Sequence, residues 1–337
     1  MKHVKSLINQ FTYLMQNRPG LMAALAFSSG LASYVLVERK ESLAQFIALF
    51  LLLSWLWLLI DNWLRDRVEQ RFGVALSPNI MRFALQMVHQ ECLFFALPFF
   101  LAVTSWDHPQ AVFTVLIMLC AVISLIDPLY YKKLAPNRTL FVLFHAFALF
   151  VVLLVILPIL LNLTTSQSLA TALITAVALT IPSLGQLVIN GHWWRLPLLV
   201  FMLCIFSGGL WLVPSWVPPA ALRLTGITLS HQVDLEQRKP GVSIKELEAY
   251  TLHHQGLYSW TAVKAPRGLN EKIFHVWLLN NKEVDRITLD ISGGREQGYR
   301  AWTHKLNFPK NAVGQWQVKV VTESEQLIGL TKFTVTP

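Results

Sequence analysis

The sequence predicts an α-helical polytopic membrane domain of about seven transmembrane helices, followed by an all-β, immunoglobulin-like sandwich domain. Three observations predict it. First, 54% of the 337 residues are hydrophobic and only 14% are charged, with a mean hydropathy of +0.48. A soluble domain carries about 25% charged residues. Second, the charge is unevenly placed. Residues 1–222 hold 13 Lys/Arg and 8 Asp/Glu, whereas residues 223–337, about half as many, hold 15 and 11. Third, the hydrophobic period changes after Leu222, from long uncharged runs to short alternating segments. Residues 196–222 mark the change. They contain no charged residue, with Arg195 before them and Arg223 after.

Residues 1–18 read as an amphipathic helix at the cytoplasmic interface. Val4, Leu7, Ile8, Phe11, Leu14 and Met15 recur at helical spacing, with Lys2, Lys5, Asn9 and Gln10 on other faces. The apolar runs that follow argue for a retained segment rather than a cleaved signal peptide. A membrane span takes about 20 apolar residues. Within residues 19–213, seven stretches qualify: 19–37, 43–64, 80–105, 109–130, 139–162, 168–189 and 196–213. Ser77-Pro78 suits the start of the third, with Ser as cap and Pro in the first turn. The sixth is the least apolar, with Thr171, Thr175, Thr180, Pro182 and Gly185 inside it.

Basic residues in short loops set the orientation. Lys2, Lys5 and Arg18 precede the first span; Arg65, Arg67 and Arg71 follow the second; Lys132, Lys133 and Arg138 follow the fourth; Arg195 follows the sixth. The loops after spans three and five have no Lys or Arg. The N-terminus is therefore expected in the cytoplasm. Seven spans then place the C-terminal domain outside, which for a bacterial inner-membrane protein is the periplasm. Pro214, Pro218 and Pro219 lie in a short tether over residues 214–222. Residues 223–337 then form the β domain, with strands expected at 222–232, 256–263, 272–279, 283–291, 299–307, 314–322 and 327–336. Ser243 and Glu246 have capping-box spacing for a short helix reaching Leu252. About seven short strands suit a sandwich, without the Cys…Trp…Cys framework of true immunoglobulin domains. The three cysteines, Cys92, Cys120 and Cys204, all lie in apolar spans.

Ionisable groups inside spans are costly unless paired or hydrated, so they are candidate functional groups. They are Asp61, His89, Glu91, Asp127 and His145. Lining one cavity, they would relay protons or bind a cation. The alternative is architectural: Asp61 and Asp127 lie close enough to the interface to be solvated or to pair with Arg65 or Lys132, and the histidines bond neighbouring helices. His89 and Glu91 are two residues apart and point to different helix faces, so they are not one metal pair. Glu91 is the hardest to assign to architecture alone. No zinc-protease motif and no matched pair of broken helices accompanies these groups.

The β domain carries an ordered set of motifs. They are His275 and Trp277; Lys282 and Val284; Gly293 and Gly294; Arg300, Trp302 and Lys305; and Gly314, Trp316 and Val318. This order resembles an uncharacterised bacterial family, a C-terminal domain of unknown function found on membrane-anchored and exported proteins. The resemblance covers roughly residues 222–336, and the membrane half looks like the partner region of a subset of such proteins. It implies a β-sandwich and an exported domain, and no reaction. Two departures stand out: Asn281 where the hairpin usually has Gly, and Glu296-Gln297-Gly298 lengthening the stretch after the Gly-Gly turn.

Read residue by residue, the 272–279 strand is apolar on both faces, hence central, with His275 as a core histidine or a ligand. Trp260, Trp277, Trp302 and Trp316 make either a core or a stacking platform for sugar. Gly293-Gly294-Arg295 makes either a turn or an anion cradle. The spacing of His253, His254, His275 and His304 matches no standard metal site, and no cofactor or metal is expected. Nucleic acid is rejected as a partner, because much of the net charge of +9 flanks membrane spans. The expected role is a non-enzymatic membrane protein embedded in the lipid bilayer, presenting the sandwich to an envelope protein or glycan. A proton-coupled or transport role centred on Glu91 is the alternative, and an intramembrane enzyme or sensor subunit is another.

Overall fold

The computed structural model describes residues 78–189 and 214–337, with a few isolated positions elsewhere. The amphipathic helix expected over residues 1–18, the spans at 19–37, 43–64 and 196–213, and Asp61 all lie outside the described residues. The chain divides into two compact units. One comprises Met1–Pro98, Val115–Ile156 and Ala172–Ser207; the other comprises Phe99–Thr114, Leu157–Thr171 and Gly208–Pro337.

Among the described residues, the helices before the β domain are α1 (Pro78–Val103), α2 (Gln110–Leu125), α3 (Asp127–Leu134, ending in a π-helical turn), α4 (Arg138–Leu161) and α5 (Thr165–Ile189), with a 3-10 turn at Pro214–Trp216. Among the described residues, two helices are long and apolar enough to cross a membrane, Leu85–Val103 and Thr139–Leu161. α2 and α3 make a third if taken as one bent span. The expected count of seven is not reached among these residues. The α4 span is 83% buried, so it is the inner helix and reads apolar all round. α2 instead exposes Val112, Val115, Leu116, Leu119 and Val122, an apolar stripe at helical spacing that suits lipid.

The sequence reading takes residues 109–130 as one continuous span, and the structure breaks it. α2 stops at Leu125, Ile126 is extended (φ −93°, ψ 99°), and α3 leaves at 94°. Pro128 is the physical reason. It has no N–H to donate to the Ser124 carbonyl, and its ring would clash there in an unbroken helix. At the sixth expected span the described apolar stretch, Thr165–Leu179, is shorter than a span needs, and the helix begins earlier than expected. Thr164 N–H donates to Gln167 Oε1 (3.1 Å) and Gln167 N–H to Thr164 Oγ1 (3.3 Å), a reciprocal capping box that starts α5 at Thr165.

The second unit contains the β domain. Its strands are β1 (Arg223–Ser230), β2 (Val233–Asp234), β3 (Lys239–Pro240), β4 (Glu246–Glu248), β5 (Leu257–Lys264), β6 (Asn270–Leu279), β7 (Lys282–Ser292), β8 (Tyr299–Lys305), β9 (Gly314–Thr322) and β10 (Leu327–Thr336). They form a three-stranded sheet, β1-β5-β8, a five-stranded sheet, β4-β10-β9-β6-β7, and the β2-β3 ribbon. All seven expected strands are present, and three short ones are additional. The helix expected to start at Ser243 does not start there. Residues Glu246–Glu248 extend instead and pair in parallel with β10, and α6 spans Ala249–Gln255. The β6–β7 hairpin turns through Asn280 and Asn281, both at positive φ (49° and 66°), as a type I′ turn requires. Asn tolerates that conformation, so Asn281 closes the turn without a glycine.

One core cluster joins the two sheets: Leu229 and Leu257 from the smaller, Trp277, Trp316, Val318 and Phe333 from the larger. A second packs Leu222 and Val263 with Ile273, Ile291, Val320 and Ile328.

Within the same unit the β domain grips the ends of the helices. Glu271 is buried on β6; its carboxylate accepts from Thr165 N–H and from Thr165 Oγ1, both at 2.8 Å. The two bonds to Thr165 at the first turn of α5 oppose the effect of burial, which is the larger and raises the carboxyl above its ordinary range. Gln326 Nε2 donates to Val217 O at 2.9 Å, and Lys332 reaches Asp107 at 3.8 Å. Glu271→Ala leaves the Thr165 donors unmet, and its expected cost is about 1–3 kcal/mol in chemical denaturation. Glu271→Gln keeps an acceptor and is expected to cost less.

Candidate functional site

A cavity of about 310 Å³ opens on the β domain, lined by Arg238, Arg295, Glu296, Gln297, Gly298 and Arg300. Three segments bring these residues together: the β2–β3 turn (Arg238), the β7–β8 loop (Arg295 to Gly298) and the start of β8 (Arg300). The protein itself fixes two of the guanidinium groups. Arg238 lies over the rings of Tyr299 (5.6 Å) and Trp302 (5.3 Å), and its Nη2 donates to Arg300 O at 2.8 Å. Arg300 donates from Nη1 to Gln237 O (2.9 Å) and from Nη2 to Gln297 Oε1 (2.6 Å). Arg295 sits over Tyr299 at 4.8 Å. None of the three forms an ion pair among the described residues. Arg238 Nε is buried with no hydrogen-bond partner, and the residue has φ 52°, a left-handed backbone uncommon outside glycine.

The loop is held from beneath. Thr225 Oγ1 donates to Gln297 O at 2.9 Å. Gly298, at φ 84°, leaves room for that contact, since a Cβ there would lie 2.7 Å from Thr225 Oγ1. Glu296, Gln297 and Gly298 thus form one wall of the cavity. Of the sequence motifs, Arg300 lines the cavity and Trp302 supports Arg238. Arg295 lines it as well, from the turn after Gly293-Gly294. Those glycines meet the chain at Ala265–Leu269: Gly293 N–H donates to Leu269 O (2.8 Å), Gly294 N–H to Ala265 O (3.0 Å), and a Cβ on Gly293 would lie 1.8 Å from Pro266 O.

The other motif residues are core or support. Trp277 and Trp316 are fully buried. Gly314 opens β9 beside Asn280, which accepts from Gln315 N–H at 3.1 Å. Lys305 is buried and ion-paired with Asp285, whose carboxyl the Lys305 hydrogen bond holds below its ordinary range. His275 is buried between Thr303 Oγ1 (2.9 Å from Nδ1) and Thr261 Oγ1 (3.2 Å from Nε2).

Burial pushes His275 down to about 3. The unfolded chain then binds a proton that the folded chain refuses between about pH 6.5 and pH 3, so stability is lost as pH falls through that window, by up to about 1.4 kcal/mol per pH unit. Glu271 acts in the opposite sense, because burial raises its carboxyl and favours the protonated folded form. The thermal midpoint is expected to drop from pH 6.5 towards pH 4, and His275→Gln should flatten that slope.

The membrane candidates fall into a separate arrangement in the other unit. His89 Nε2 meets His145 Nδ1 at 2.7 Å, and His89 Nδ1 meets the Tyr130 hydroxyl at 3.0 Å. All three are buried. Gln86 Nε2 donates to Asp127 Oδ1 (2.8 Å) and Ser124 O (3.0 Å), and Gln90 Nε2 to Ser124 O (2.7 Å). Ser124 O is the carbonyl that Pro128 cannot serve, so the two glutamines satisfy the acceptor freed at the bend. The structure thus joins His89 to His145 and Asp127 to Gln86. Glu91 is half-buried, and no described hydrogen bond joins it to His89. Sequence reading missed Gln86, Gln90 and Tyr130. The i, i+4 pair of glutamines one turn around His89 is the signal that would have found two of them.

The family of unknown function DUF5924 matches residues 1–259, more than half of the chain. The chain belongs to DUF5924. A second model, the protein of unknown function DUF2914, matches residues 270–335. The DUF5924 match thus runs through β1 and into β5, and the DUF2914 match begins at β6, so the two meet inside one folded β domain. The cavity is built from both, with Arg238 under the first and Arg295 and Arg300 under the second. No curated protein matches the chain, and no solved structure does.

Proposed function

We propose that this is an integral inner-membrane protein, N-terminus in the cytoplasm, which holds an immunoglobulin-like β-sandwich in the periplasm. The arginine cavity of that domain binds an acidic group on an envelope protein or glycan. The supporting observation is the presence of three arginines, without ion-pair partners among the described residues, in the lining of one cavity. Cationic side chains held in a preformed concave site suit recognition of an anion. The seven spans read from the sequence and its loop charges support the orientation.

Two experiments test the two halves of this reading. Alkaline phosphatase fused after Pro337 should be active, and activity of only a cytoplasmic reporter there would overturn the topology. A photo-cross-linker at Gln297 in intact cells should give a product that is lost in Arg295→Gln and Arg300→Gln. A product indifferent to both substitutions would overturn binding at the cavity. A proton-coupled role for the helices is the second reading. The Tyr130–His89–His145 row favours it and shifts its centre from Glu91 to His89. Proton uptake by proteoliposomes that is unchanged in His89→Gln would count against it.

A further inference from the structure

We infer that the ligand of the arginine cavity carries a phosphate group. The inference rests on the binding role proposed for that cavity and narrows it. Three arginines and one carboxylate residue, Glu296, are among the lining residues of the cavity. That balance favours an anion with more than one negative charge. A phosphomonoester carries about −1.5 to −2 at neutral pH.

Donor geometry points the same way. Each guanidinium offers five N–H groups in a planar fork, and one fork already satisfies both oxygens of a carboxylate. The protein spends one donor of Arg238 and two of Arg300 on its own acceptors. The three side chains come in from three segments, so they can approach a ligand from more than one direction. A tetrahedral phosphate takes donors from several directions at once.

Pre-organisation is the third argument. Arg238 is clamped on Tyr299 and Trp302, and Arg300 is tied to Gln237 and Gln297. Little side-chain freedom is left to lose on binding, which suits a small, highly charged ligand with few atoms to contribute. The left-handed backbone of Arg238 closes the β2–β3 turn and so fixes where its side chain starts.

The test uses the full-length chain in detergent and three probes. Inorganic phosphate represents a free phosphate. Dioctanoyl phosphatidic acid, against dioctanoylglycerol, represents a lipid headgroup. A galacturonate oligomer represents an acidic glycan without phosphorus. The expected result in calorimetry is binding of at least one phosphate probe, with none of dioctanoylglycerol or galacturonate. Which phosphate probe binds identifies the source. Arg295→Gln and Arg300→Gln should each weaken that binding roughly tenfold or more. Arg295 is exposed, so Arg295→Gln remains decisive if Arg300→Gln alters the near-ultraviolet circular dichroism. Binding of galacturonate but not phosphate overturns this inference and leaves the binding role standing. Binding of none of the probes, or phosphate binding unaffected by Arg295→Gln, also overturns it, while the cross-linking outcome at Gln297 decides the binding role separately.

Discussion

A fragment beginning at Asn270 will not fold, although it spans the whole DUF2914 match. The fragment keeps β6 to β10 and loses β1, β4 and β5. β8 then has no partner, because in the order β1-β5-β8 it pairs only with β5. Both core clusters are opened: one loses Leu229, Leu247, Leu252 and Leu257, the other Leu222, Val263, Ala265 and Leu269. Each fully buried aliphatic side chain contributes about 1.5–3 kcal/mol of transfer free energy. Seven such losses, the leucines and the valine among them, even partly compensated, exceed the roughly 5–15 kcal/mol that holds a domain together. A fragment beginning at Pro214 retains every strand. The expected result is a cooperative thermal transition with near-ultraviolet signal for 214–337 and neither for 270–337. A cooperative transition in the shorter fragment would show that β6 to β10 make an independent sheet.

Trp316→Ala is expected to destabilise the domain by about 3–5 kcal/mol. The ring is fully buried, stacks on Phe333 at 5.8 Å between centroids, and meets Phe308 edge-on at 5.4 Å. Its Nε1 donates to Ala312 O at 2.7 Å. Trp277 is equally buried, but its Nε1 has no hydrogen-bond partner. The phenylalanine variants separate packing from hydrogen bonding. Trp316→Phe leaves the Ala312 carbonyl unmet, whereas Trp277→Phe removes a donor that was already unmet. The first should cost about 1–2 kcal/mol more than the second in urea denaturation. Equal costs would mean that the Ala312 bond adds nothing to the native state.

Much of the β domain was legible because each long strand carries its own period and its own turn. Asn280-Asn281 and Gly293-Gly294 mark chain reversals by local chemistry alone. The short strand Glu246–Glu248 was not legible. Ser243 to Glu246 has the spacing of a helix start, and only the edge of β10, ninety residues on, makes extension the better choice. The bend at Ile126 was written in Asp127-Pro128, yet the apolar run on both sides hides a single proline. The candidate sites were harder. His89 and His145 stand out as polar groups in apolar runs, but their contact joins positions 56 apart. Arg238 and Arg300 are 62 apart and look like any surface arginine until the β2–β3 turn folds over β8. Spacing in the sequence carries no trace of such a meeting.

The tie between Thr165 and Glu271 has a bearing on how the molecule matures. The two residues are 106 positions apart. When α5 is made, the acceptor for its first backbone donor has not yet been synthesised. The helix end stays incomplete until β6 is made, and β6 is held between β7 and β9. Completion of that helix and closure of the sheet are therefore one late event. A lesion in the β domain will register as a poorly finished helix terminus far upstream of the change.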